Sequence, residues 1–119
     1  MFDIIYYENA RGEKAVKEYI QELNNKSDKN SRIKLNKIVE YIRRLQVYGV
    51  KIGKPTIDKI EGADLWELRP LKDRIFFAYW KDNAFILLHH FEKKTQKTPK
   101  REIEQAQRNL ADWKERFGE

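Results

Sequence analysis

Apolar residues in this chain repeat with a helical period, switch to runs typical of strands, and then switch back. Val16, Tyr19, Ile20 and Leu23 fall at i, i+3, i+4 and i+7. After a break at Asn24-Asn25 and Ser27-Asp28, Leu35, Ile38, Val39, Ile42 and Leu45 continue the stripe as far as Gly49. This spacing predicts two amphipathic helices joined by a short polar turn, a hairpin able to cover one side of a sheet. The opposite face of the second helix carries Lys34, Lys37, Glu40, Arg43 and Arg44. From Gly53-Lys54-Pro55 onward three β-type runs follow, Leu65–Arg69, Arg74–Trp80 and Ala84–Phe91. Their links, around Pro70 and Lys72-Asp73 and then Lys81-Asp82-Asn83, are too short for anything but antiparallel neighbours.

The helical period then returns. Ile103, Ala106, Leu110, Trp113 and Phe117 step down a C-terminal helix, with Thr98 placed to cap it, Pro99 at its first position and Glu102 in its first turn. Phe2–Tyr7 at the other end is a β-rich run that stops at Asn9. The expected architecture is α+β: an N-terminal strand and helical hairpin packed on a small antiparallel sheet, with a C-terminal helix. At 119 residues, this reads as a single domain over 1–119.

Composition narrows the function classes. The apolar fraction of 40% and aromatic fraction of 13% exclude a disordered chain. With no cysteine, disulfides and thiolate metal sites are excluded, which suits a reducing compartment. The opening run Phe2–Tyr7 is too short for a signal or membrane-spanning segment and lacks a basic flank, so the expectation is a soluble cytoplasmic protein. The net charge is +6 and the pI near 9.5, a balance that favours polyanions or an acidic partner. From Lys93 to Arg101, five of nine residues are basic and none acidic. Solvated surfaces ordinarily mix their charges.

Three chemistries compete for the polar residues. His89 and His90 are adjacent in a strand, so they face opposite sides of the sheet and at most one can be catalytic. Asp82 with Glu92-Lys93-Lys94 resembles the D…E-x-K pattern of metal-dependent nucleases, but Asp82 is also an ordinary turn residue. Third, Arg69 ends one strand, Arg74 begins the next, and Lys93-Lys94 follow the last. Antiparallel order returns all four to one end of the sheet, where convergent cations would favour an anion among them. Lys97, Lys100 and Arg101 read as solvent-exposed cations able to attract RNA.

The run from Asp64 to Ala106 resembles the HigB-like, phage-related branch of the RelE/ParE toxin superfamily. The resemblance rests on Glu67-Leu68-Arg69, Arg74 with its aromatic followers, Leu87-Leu88-His89, Phe91 and Lys93 to Pro99. It is detailed over roughly residues 57–110; the N-terminal strand and hairpin agree in layout. It implies a RelE-like fold and the toxin of a type II toxin–antitoxin pair, a ribosome-dependent mRNA endoribonuclease. Such an enzyme uses no metal or other cofactor, because the RNA 2′-hydroxyl attacks the adjacent phosphate. By position, Arg74, Lys93 and Lys94 are the implied catalytic cations and Arg69 a secondary phosphate contact. His89 is the implied proton carrier, histidine being the side chain that ordinarily titrates near neutral pH. Tyr79 is a candidate for stacking on a base or transferring a proton, and Lys97, Lys100 and Arg101 for seating the protein on ribosomal RNA. The implied partners are a HigA-like helix-turn-helix antitoxin, the ribosome with its mRNA, and operator DNA only through the antitoxin, with no membrane. Two readings compete with this one: a non-catalytic RNA- or ribosome-binding module, and a domain whose basic surface docks an acidic protein.

Overall fold

The computed structural model describes residues 1–118. Strand β1 (Asp3–Tyr6) leads into helices α1 (Ala15–Asn24) and α2 (Lys29–Tyr48), and a 3₁₀ turn over Gly49–Ile52 follows. Strands β2 (Ile57–Lys59), β3 (Trp66–Leu68), β4 (Asp73–Trp80) and β5 (Ala84–Glu92) come next, and α3 (Lys100–Phe117) closes the chain. The expected α+β layout of strand, hairpin, sheet and C-terminal helix is the one observed.

The sheet order is β1-β5-β4-β3-β2. From β2 to β5 the strands form the antiparallel meander that the short links require, but β1 adds to the outer edge of β5 in parallel. The sheet is therefore mixed rather than antiparallel. Parallel pairing needs a long connection, and everything between β1 and β5 supplies it. The sequence reading contained no strand at Ile57–Lys59, where three residues, two of them charged, carry too little pattern.

Helices cover both faces. Val16, Leu23, Leu35, Ile38 and Leu45 of the hairpin pack on Ile57, Leu68, Ile75, Phe77, Phe85 and Leu87. On the other face Ala106, Leu110 and Trp113 of α3 pack on Leu65, Phe76, Ala78, Ile86, Leu88 and Phe91. Strands β4 and β5 are thus buried on both sides, which is why Ile75–Ala78 and Ala84–Leu88 are unbroken apolar runs without alternation. Each fully buried Phe, Leu or Ile here contributes roughly 1.5–3 kcal/mol.

The helix ends follow local chemistry. Asp28 caps α2, accepting hydrogen bonds from the backbone N–H of Ser31 (3.0 Å) and its hydroxyl (2.8 Å), an interaction of about 1 kcal/mol. Gly49 ends α2 at φ 67°, and a Cβ there would lie 2.8 Å from the Phe2 ring. Pro99, not Thr98, occupies the cap of α3, and Thr98 instead turns its hydroxyl toward Glu67. Val39, placed on the α2 stripe by spacing, is 54% exposed, because the contact stripe is narrower than the pattern suggested.

Candidate functional site

The β4–β5 register sets Asp73 opposite Glu92 and Arg74 opposite Phe91. The turn before β4 and the segment after β5 therefore emerge side by side, and the Lys93 N–H donates to the Lys72 carbonyl (2.8 Å) to bind them together. Between them lies an open pocket of about 400 Å³ lined by Lys72, Arg74, Lys93, Lys94, Thr95 and Gln96. Its charged lining is wholly cationic. Lys72, Lys93 and Lys94 make no ion pair with any carboxylate among the described residues.

Arg74 is the rigid member of the group. It is 8% exposed, and its Nη1 donates to two backbone carbonyls, those of Leu71 (2.7 Å) and Asp73 (2.8 Å). Its Nε lies 3.6 Å from Oε1 of buried Glu67 without a hydrogen bond, and among the described residues Nη2 makes none. Burial lowers the Arg74 pKa; the Glu67 charge opposes that shift and the Arg69 charge adds to it. Guanidinium still stays protonated. A cation already clamped on one nitrogen spends no entropy in meeting a phosphate with the other.

The turn that supplies these carbonyls is unusual. Asp73 N–H donates to the Pro70 carbonyl (3.1 Å), and Leu71 has φ 59°. Left-handed backbone costs a residue with a Cβ roughly 1–2 kcal/mol. Such strain persists where the surroundings hold it, commonly at sites.

Behind the pocket, on the α3 face, Glu67 is shared by Arg74, by Arg69 (Nε to Oε2, 4.0 Å) and by the Thr98 hydroxyl (3.4 Å). Arg69 thus meets Arg74 through Glu67 and does not line the pocket. Two buried carboxylates, Glu67 and Asp73, lie next to the cations.

His89 shares the α3 face. Its Nε2 donates to Glu102 Oε1 (2.8 Å) from the first turn of α3, and its ring packs on Phe76 and Phe91. Nδ1 makes no hydrogen bond among the described residues. His90 faces the hairpin, where its ring stacks on Tyr19 at 3.7 Å and its Nε2 donates to Asp73 Oδ1 (3.0 Å). Tyr79 stands apart, 42% exposed on the hairpin face against Phe2, Trp66 and Phe85. Five residues along β4 put it about 16 Å from Arg74. Lys97, Lys100 and Arg101 are exposed on the segment that follows the pocket residues Thr95 and Gln96, and among the described residues only Arg101 of the three lies near a carboxylate (Glu102, 3.9 Å). Asp82 lies in the far turn of the β4–β5 hairpin, away from Glu92, so these residues do not assemble the D…E-x-K pattern. No cluster of three His, Asp or Glu residues suited to a metal occurs among the described residues.

Sequence reasoning missed Lys72 and Asp73 as site elements. The available signal was their place in the link between Arg69 and Arg74. Glu102 carries only the signal of a helix-start residue, and nothing local announces its bond to His89.

No curated protein matches the chain. Residues 18–111 match the family model described as Phage derived protein Gp49-like (DUF891), a span that holds most of α1, all of α2 and every residue of the pocket. No helix is long and apolar enough to cross a membrane among the described residues. With more than three quarters of its length inside that match, the chain belongs to the Gp49-like family, a RelE/ParE-like toxin family associated with toxin–antitoxin systems.

Proposed function

We propose that this protein is a HigB-like mRNA interferase, cleaving messages on the ribosome without a metal. The observation that carries the reading is the pocket itself: three unpaired lysines around an arginine clamped by backbone carbonyls. In the reaction the RNA 2′-oxygen bonds to the adjacent phosphorus and the bond to the 5′-oxygen breaks. The intermediate phosphorane carries extra negative charge, which preorganised donors stabilise better than water does. Arg74 Nη2, Lys93 and Lys94 meet that charge, with Lys72 beside them. A base takes the 2′-hydroxyl proton and an acid returns one to the 5′-oxygen. His89 is the proton carrier in this scheme, its ring oriented by Glu102 and its Nδ1 unengaged.

Lys97, Lys100 and Arg101 extend the positive surface toward ribosomal RNA. Tyr79, set apart from the pocket, serves in this reading only as a contact for RNA or ribosome outside the reacting phosphate. The family implies an antitoxin partner, and we assign it as a HigA-like helix-turn-helix protein that reaches operator DNA with the toxin bound.

The test is expression in cells followed by primer extension on a translated message. New 5′ ends at codon-linked positions, absent for Arg74→Ala, support the reading. Ribosome attachment with no new ends would replace it by the non-catalytic binding module. Binding to an acidic protein that RNA cannot compete away would replace it by the docking domain.

A further inference from the structure

Asp73 and Arg74 are adjacent in β4 and face opposite sides of the sheet. On the hairpin side, Asp73 Oδ1 accepts from the Tyr19 hydroxyl (2.9 Å) and from His90 Nε2 (3.0 Å), with Lys34 Nζ at 3.7 Å. Lys34 also donates to Glu92 (3.0 Å). The Asp73 side chain is 0% exposed, and its Oδ2 has no partner. Burial alone would raise the carboxyl pKa, but hydrogen bonds from His90 and Tyr19 and the Lys34 charge outweigh it and hold the value low. A buried ionised carboxylate is weak support for stability on its own. The chemistry assigned to Arg74 leaves this cluster without a task.

Its position supplies one. Both Nη1 protons of Arg74 are taken by the carbonyls of Leu71 and Asp73, so the direction of Nη2 depends on where those carbonyls point. The Leu71 carbonyl points as it does because Leu71 is left-handed. A leucine remains there only if the turn is held at both ends. Asp73 N–H to Pro70 and Lys93 N–H to Lys72 hold the backbone; the Asp73 side chain, gripped from α1 and β5, holds the exit. The same turn walls off a second hollow of about 710 Å³, lined in part by Tyr19, Lys34, Leu71 and Asp73. None of Tyr19, Lys34, Asp73 and His90 lines the basic pocket.

We propose that Asp73 is a positioning residue for Arg74: anchored by Tyr19 and His90 on the far face of the sheet, it fixes the left-handed turn whose carbonyls aim the guanidinium into the pocket. This deepens the role given to Arg74 above and rests on it. Hydrogen-bond energy on the helical-hairpin side is thereby converted into orientation on the α3 side. The turn residue and its anchor act as one unit, so easing the strain at position 71 compensates for loss of the anchor.

The experiment uses the full chain, purified as its antitoxin complex and then freed, with Tyr19→Phe, Asp73→Ala, and each of them combined with Leu71→Gly. Two signals are read: single-turnover cleavage of a ribosome-bound message, and NMR relaxation of the Arg74 Nε–Hε group. Tyr19→Phe keeps the ring stacked on His90 and removes one donor; cleavage falls about fivefold, the worth of one hydrogen bond. Asp73→Ala lowers it on the order of 30- to 100-fold, less than loss of Arg74 itself. Ribosome affinity stays within about twofold, since the lysines that supply it are untouched. In both variants the Arg74 signal loses order while the ring signals of Phe76 and Phe77 do not move, a pattern general destabilisation would not produce. Leu71→Gly restores part of both readouts.

An unchanged Arg74 signal and rate in Tyr19→Phe and in folded Asp73→Ala would overturn the inference. If Asp73→Ala does not fold, Tyr19→Phe with and without Leu71→Gly decides it. If the wild-type protein cleaves nothing while Arg74 order still follows Asp73, the nuclease reading falls and the positioning role stands. If Arg74→Ala abolishes cleavage and the anchor variants change nothing, the positioning role falls alone.

Discussion

The two ends of the β4–β5 hairpin use the same backbone device with different residues. At the closed end, Asp82 and Asn83 turn the chain with φ of 60° and 63°. Their short polar side chains tolerate the left-handed region, and a right-twisted hairpin asks for that geometry. Around this end the surface is aromatic: Tyr79 on Phe2 and Phe85, Trp80 on Trp113, and Lys81 over the Trp80 ring. At the open end, the left-handed residue is Leu71, nearly half exposed, with no side-chain reason to be there. Around it stand the clamped arginine, the unpaired lysines and two buried carboxylates. Where residue and conformation agree, the turn serves folding. Where they disagree, the local cost is held by a network, and the side chain we propose it aims, Arg74, is the one to which the proposed chemistry is assigned.

The largest expected effect separates the two ends outright. Arg74→Ala should lower single-turnover cleavage on the order of 10²–10³, as removal of an oxyanion-hole donor does, and Arg74→Lys should recover only part, because a point charge cannot replace a fork. Thermal unfolding should show a loss of about 1–3 kcal/mol, the cost of taking one partner from a buried polar group, because Glu67 keeps Arg69 and Thr98 as partners. A collapsed melting temperature would make Arg74 a structural residue and erase the contrast.

Salt should act on the open end alone. With roughly four to six of Lys72, Lys93, Lys94, Lys97, Lys100 and Arg101 on phosphates, ribosome affinity should fall with a log–log slope of about −3 to −4, and Lys94→Ala should reduce that slope by about 0.7. Sedimentation at several salt concentrations measures it; a flat response would remove the phosphate contacts.

The turns themselves can be exchanged in kind. Asn83→Val should destabilise by about 1–2 kcal/mol, since a β-branched residue is forced left-handed, while cleavage stays unchanged. Leu71→Gly in the wild-type background should stabilise by about 1 kcal/mol and raise the melting temperature a few degrees. A destabilised Leu71→Gly would show that the turn carries no strain.

The smallest effect concerns acid. The Asp73 carboxyl is held below its ordinary value, so the unfolded chain binds the extra proton near pH 4. Its contribution is complete above the unfolded value of about 3.9 and is lost as pH falls through the lower folded value. Asp73→Asn should therefore flatten the acid limb of the stability curve below about pH 4, with little change in its shape near neutrality.

Much of the fold was legible because it rests on periods. The hairpin stripe through Val16, Leu23, Leu35 and Leu45, the β-rich runs and the α3 stripe through Ala106, Leu110 and Trp113 bury most of the residues that spacing selects, while Val39, Tyr79 and Phe117 stay exposed. The convergence of Arg74 with Lys93 and Lys94 was also legible, since short links force antiparallel neighbours and neighbours return to one end. The edge pairing of β1, three-residue β2 and the partners of the buried charges were not, because no local pattern encodes them.

The two histidines mark the boundary. Adjacency in a strand alone places His89 and His90 on opposite faces, since side chains alternate along a strand. Which face each takes was decided by a bulge: Phe76 pairs with His89 and Phe77 with Leu87, so Leu88 has no partner. Leu88 and His89 both turn toward α3, His89 reaches Glu102, and His90 is left to Asp73. Strict alternation from Ile86 would have reversed the pair. Period is a property of neighbouring residues and is written in the chain. Register belongs to two strands at once, so it is settled only when the layers pack.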